Sequence, residues 1–99
     1  MSSTLPPLVD THCHLTLEEF NRDRSAVVER AVHSGVQSIV VPAIDLKSSE
    51  EVVALAEKHP QIYAAVGLHP HAAGEWSETA AQDLRRLAAS ARVVAIGEL

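Results

Sequence analysis

Four short apolar runs alternate with three amphipathic stretches along the chain, and this alternation restricts the fold more than any other feature. The runs are Leu8-Val9 leading into Asp10-Thr11-His12-Cys13-His14, then Ser38 to Ala43, Ile62 to Leu68, and Val93 to Ile96. They are rich in β-branched residues and do not alternate apolar with polar positions. Each therefore reads as a strand buried on both faces.

The stretches between them carry helical periodicity. Thr16-Leu17-Glu18-Glu19 has the form of a capping box, with Phe20, Val27, Val28 and Ala31 on one face until Gly35 stops the helix. Ser48-Ser49-Glu50-Glu51 opens a second helix in the same manner; Val52, Val53, Leu55 and Ala56 follow, and His59-Pro60 ends it. A third runs from Ser77 and places Ala80, Leu84, Leu87, Ala88 and Ala91 on one stripe.

The expected order is thus βαβαβαβ, a parallel α/β sheet with right-handed crossovers. Strand starts near residues 8, 38, 62 and 93 give about 24–31 residues per unit, so eight units would need roughly 240, close to a TIM barrel. The expectation is a partial TIM barrel, the (βα)3β portion of a (β/α)8 barrel. Residues 1–7 form an N-terminal extension and residues 8–99 the barrel portion. A doubly wound sheet uses the same elements, although the Gly-rich turn of a dinucleotide fold is absent after the first strand. The chain stops where the fourth strand should pass into a loop, so it reads as a piece of a longer protein, truncated after that strand. Such a piece leaves sheet edges open, to be covered by the missing C-terminal segment or by a second copy.

Composition excludes several classes. No stretch approaches the ~18 apolar residues of a spanning helix, and the start, Met1 to Pro7, has neither the basic residue nor the apolar run of a secretory signal. A single cysteine, Cys13, excludes an internal disulfide and fits a reducing compartment, so the expected location is cytoplasmic, or nuclear in a eukaryote. A net charge of −5 argues against a broad basic face for nucleic acid.

Six histidines in 99 residues include two tight pairs, and both pairs fall where strands end. On a strand, His12 and His14 point to one face about 6.6 Å apart and can converge on a cation. They lie at the carboxyl end, where parallel barrels build their sites, and Asp10 has the parity to steady an imidazole. The alternative is two histidines at a strand-to-loop junction, each satisfied by a neighbour. His69 and His71 end the third strand and Glu98 the fourth, so three of four strands present a ligand-type residue at one rim. Asp45 either joins this set or caps the second helix. Cys13 faces away from the histidines as a small buried hydrophobe, Trp76 is read as a packing residue rather than a substrate platform, and His33 and His59 late in helices receive no role.

Taken together, Asp10-Thr11-His12-Cys13-His14-Leu15, Gly67-Leu68-His69-Pro70-His71 and Ala95-Ile96-Gly97-Glu98 resemble the first three signatures of the TatD-related metal-dependent deoxyribonucleases of the amidohydrolase superfamily. The H-x-H element alone is shared with other amidohydrolases and with PHP-type phosphoesterases. The G-L-H-P-H element followed by I-G-E is more specific.

The resemblance implies two divalent ions (zinc, manganese or magnesium), with His12 and His14 holding one and Glu98 bridging both. It implies that Glu98 and His69 take part in catalysis, with His69 and His71 beside the phosphate of a DNA substrate. Two further metal histidines and a catalytic aspartate of the family fall beyond Leu99, so the isolated 99-residue chain is expected to be inactive. The alternatives are another amidohydrolase-superfamily enzyme, a deaminase or amidase, or, for the isolated chain, a non-catalytic metal-binding module.

Overall fold

The computed structural model describes residues 6–97. Four strands, β1 (Leu8–Asp10), β2 (Val36–Pro42), β3 (Ile62–Val66) and β4 (Val93–Ile96), alternate with three helices, α1 (Arg24–His33), α2 (Leu46–Lys58) and α3 (Glu78–Ala88). The strands form one parallel sheet in the order β1-β2-β3-β4. The order never reverses, so right-handed crossovers carry all three helices to one face, as in a barrel wall. A doubly wound sheet would show a reversal. The structure has none.

The core lies between helices and sheet. Ile39, Val41 and Ala43 from β2 and its end, with Ile62, Ala64 and Val66 from β3, point to the helix side at i, i+2 spacing and meet Val28, Val52, Val53, Ala56 and Leu87. Burial on both faces, expected of every strand, holds for the inner strands only. On β1, Leu8 and Val9 are more than half exposed, and so are Val94 and Ile96 on β4. These are the two edge strands, each paired on one side only within the described sheet.

Two helix starts differ from the sequence expectation. The first amphipathic stretch is not one helix from Thr16: a 3₁₀ turn at Glu18–Phe20 precedes α1, which begins only at Arg24. The Arg24 guanidinium donates to the carbonyls of Leu15 and Leu17 and to Asn21 Oδ1, occupying acceptors that a continuous helix would use for its own amides. Helix α2 starts two residues before Ser48, with Asp45 as its N-cap; Asp45 accepts from the Ser48 amide at 2.7 Å while Ser48 Oγ accepts from the Asp45 amide at 3.0 Å. This reciprocal pairing is a capping box with its partners' roles shifted upstream. For α3, Ser77 is the N-cap as expected, accepting from the Ala80 amide at 3.0 Å.

The helix ends follow local chemistry. Gly35 takes φ +106°, a left-handed conformation that favours glycine, and turns the chain from α1 into β2. His59, held extended by Pro60, ends α2.

Candidate functional site

The first strand ends at Asp10, so His12 and His14 stand on the loop that follows and not on the strand itself. The loop is nevertheless fixed at both ends. Asp10 Oδ1 accepts the His12 amide at 3.1 Å, the Cys13 amide donates to the Val40 carbonyl at 3.1 Å, and the Leu15 side chain is buried in the core. Between these anchors the two imidazoles meet edge-on, centroids 4.8 Å apart at 82°, with their Nε2 atoms 3.0 Å from each other.

That separation suits shared ligation. Two nitrogens each about 2.0–2.1 Å from one ion can be at most about 4.2 Å apart, and 3.0 Å lies inside this reach. Cys13, between them in sequence, packs against the core. Its thiol pKa is pushed up by burial, then by the neighbouring Asp10 carboxylate and a hydrogen bond to it, which keeps the sulfur protonated and a poor nucleophile.

The third strand also ends early, at Val66, and His69 begins the next loop. The His69 amide donates to the Ile44 carbonyl at 2.7 Å, tying this loop to the end of β2. His69 caps a 3₁₀ segment, Pro70–Glu75, and its Nδ1 accepts the His71 amide at 3.1 Å. A ring nitrogen that accepts carries no proton, so the neutral imidazole holds its hydrogen on Nε2. His69 is thereby set as a donor at Nε2. The His71 ring lies 4.7 Å from it, tilted 57°, and is exposed.

His14 and the His69–His71 pair open onto one rim. A cavity of about 200 Å³ is lined by His14, Thr16, Asp45 and Lys47, and another of about 320 Å³ by His69, His71 and Glu75; Ile44 lines both. Asp45 spends its carboxylate on capping α2, which supports the capping alternative. Trp76, 60% exposed, lines an apolar groove with Leu84, Arg85 and Ile96 between α3 and β4.

Glu98 lies outside the described residues. Its neighbour Gly97 donates its amide to the Val66 carbonyl at 3.0 Å, so β3 and β4 remain joined up to the rim. Among the described residues no cluster of three or more metal-type side chains occurs; the His12–His14 pair is what they offer. Sequence reasoning missed Ser49, a fully buried hydroxyl bonded to Gly67 at the base of the His69 loop. The available signal is a pair of serines at the start of a helix, of which a cap uses only one.

Residues 9–99 match the family model described as TatD related DNase. The chain is 39% identical over 93 residues to the metal-dependent hydrolase YjjV of Escherichia coli, covering 92% of this chain and 36% of that protein. It is 39% identical over 92 residues to the 3'-5' ssDNA/RNA exonuclease TatD of Erwinia tasmaniensis, with the same coverages. The crystal structure of Escherichia coli YjjV superposes with a TM-score of 0.79, covering 93% of this chain and 36% of the other. The chain thus spans about a third of the length of these relatives. Its four parallel strands correspond to part of their barrel, with the histidine-bearing loops at the carboxyl rim, and the chain belongs to the TatD-related DNase family.

Proposed function

We propose that this chain supplies one half of the active site of a divalent-metal-dependent phosphodiester hydrolase acting on DNA. The observation that carries the reading is the His12–His14 pair, whose Nε2 atoms stand 3.0 Å apart on a loop anchored at both ends. These two side chains would hold one ion, and Glu98 would bridge it to a second. Bound there, divalent cations supply charge neutralisation at a phosphate and a more acidic water.

The chain's own residues do the rest. His69 presents its Nε2 hydrogen to a phosphate oxygen, a role that its accepting Nδ1 prepares. His71, its ring tilted against that of His69, adds a second polar group beside it. The relatives named as hydrolase and as ssDNA/RNA exonuclease make a single-stranded nucleic acid the first substrate to test. The net charge of −5 leaves phosphate recognition to the rim rather than to a basic surface. No helix among the described residues is long and apolar enough to cross a membrane. With one cysteine, we place the protein in a reducing compartment, the cytoplasm or, in a eukaryote, the nucleus.

On this reading the 99 residues alone do not turn over substrate, because the remaining ligands and the general base come from the rest of the barrel. A chimera completing this chain with the corresponding C-terminal part of the Escherichia coli homologue tests it. With manganese or magnesium the chimera should degrade a labelled single-stranded oligonucleotide, and the 99-residue chain should not. Removing a general base commonly costs about 10²–10⁴ in rate. Cleavage by the short chain at a rate near that of the chimera, abolished by His12→Ala, would contradict the division of the site.

A further inference from the structure

Ser48 and Ser49 are the buried polar side chains of the described core, and they are adjacent. Ser48 completes the cap of α2 and also accepts the Ile44 amide at 2.9 Å. Ser49 has no part in capping. It has no exposed surface, and its hydroxyl accepts the Gly67 amide at 3.2 Å and faces the Gly67 carbonyl, to which it donates, at 3.4 Å. A single hydroxyl therefore satisfies both backbone groups of a residue 18 positions away.

Gly67 is held from its other side as well. A Cβ placed there would meet the backbone C and N of Gly97 at 3.3 Å and its carbonyl oxygen at 3.4 Å. Gly67 thus lies between the Ser49 hydroxyl and the Gly97 backbone. His69 follows two residues later, and its amide is tied to Ile44, the residue that Ser48 also holds. Glu98 follows Gly97 directly. The start of α2 consequently holds the root of the His69 loop at two points, Gly67 and Ile44.

We infer that Ser49 is a positioning residue: through Gly67 it sets the His69 ring at the rim and the Gly97 backbone beside it. Its importance to catalysis rests on the hydrolase reading above, whereas the clamp stands without it. A buried hydroxyl bonded to the amide and the carbonyl of one residue satisfies two successive peptide units at once. Removing it orphans a buried amide, and the loop must shift to find water.

The test compares Ser49→Ala with Val53→Ala on the same helix, a cavity-forming change in the core that leaves the clamp intact. Amide hydrogen exchange is measured at Gly67, His69 and Gly97, and the ring nitrogens of His69 are followed by ¹⁵N NMR. The expected result for Ser49→Ala is exchange at least about tenfold faster at these three amides than at the β2 core amides. His69 should also lose the signature of an accepting Nδ1. Val53→Ala should speed exchange evenly and keep that signature. Ser49→Cys, which retains a weaker donor and acceptor of similar size, covers the case of an unfolded alanine variant and should fall between wild type and alanine. An unchanged His69 signature with evenly raised exchange in the serine variants would overturn the inference. Because no turnover is read, a confirmed clamp in a protein without nuclease activity would count against the hydrolase reading alone.

Discussion

Arg92 shows how much one side chain can organise at the end of the barrel opposite the histidines. Its guanidinium donates to the carbonyls of Ala56, His59, Pro60 and Ile62 and lies 4.5 Å above the Tyr63 ring. These carbonyls close α2 and open β3, so one cation satisfies the end of a helix and the turn after it. Hydrogen bonds to charged groups contribute about 1.5–3 kcal/mol each and are not additive here, since part of the group meets water. Arg92→Ala should cost about 2–3 kcal/mol, read as a lower urea midpoint at unchanged slope. A midpoint within error of wild type would show that water replaces the guanidinium without loss. At the other end, Gly67→Ala forces a methyl group against the Gly97 backbone. Overpacking of this kind costs about 1–3 kcal/mol, and amide shifts at Gly97 should exceed those in α1, where nothing touches the new methyl.

At the scale of elements, the cap of α2 joins stability to the rim. Asp45→Ala removes the acceptor for the Ser48 amide and the partner of its hydroxyl. Losing such a cap costs about 0.5–2 kcal/mol. Ser77→Ala at the start of α3 should cost a similar amount, but only Asp45→Ala should also shift the His69 resonances, because Ile44 links that cap to His69. Equal shifts in both variants would break the link. The elements were legible where periodicity is long and caps are local: α3 from Ser77, β4 at Val93–Ile96, and the parallel order. The break before α1 was not legible, because it depends on Arg24 reaching back to Leu15 and Leu17. Nor was the exact end of β1, since the pairing of Asp10 with Ile39, where the ladder stops, is a tertiary choice. The histidine pairs were legible as pairs by spacing alone. Their convergence was legible only through strand geometry, and the loop achieves it by a different route. Ser49 was hidden because a buried serine and a capping serine look alike in sequence.

For the whole molecule, the open edges dominate behaviour in isolation. β1 and β4 each have one unpaired side within the sheet, and Leu8, Val9, Val94 and Ile96 are exposed beside them. Such edges pair with other chains unless they are charged or covered. The 99-residue chain should therefore self-associate with a mass that rises with concentration in light scattering, and Val94→Lys should lower that mass. A concentration-independent monomer would mean that the sheet protects its own edges. Function, however, depends on the rim. Its most direct measurement is the metal content, by elemental analysis, of the chimera that completes the barrel, with and without His12→Ala and His14→Ala together. The double variant should lose at least one divalent ion per chain while its circular dichroism stays that of the parent; unchanged stoichiometry would contradict ligation by the pair.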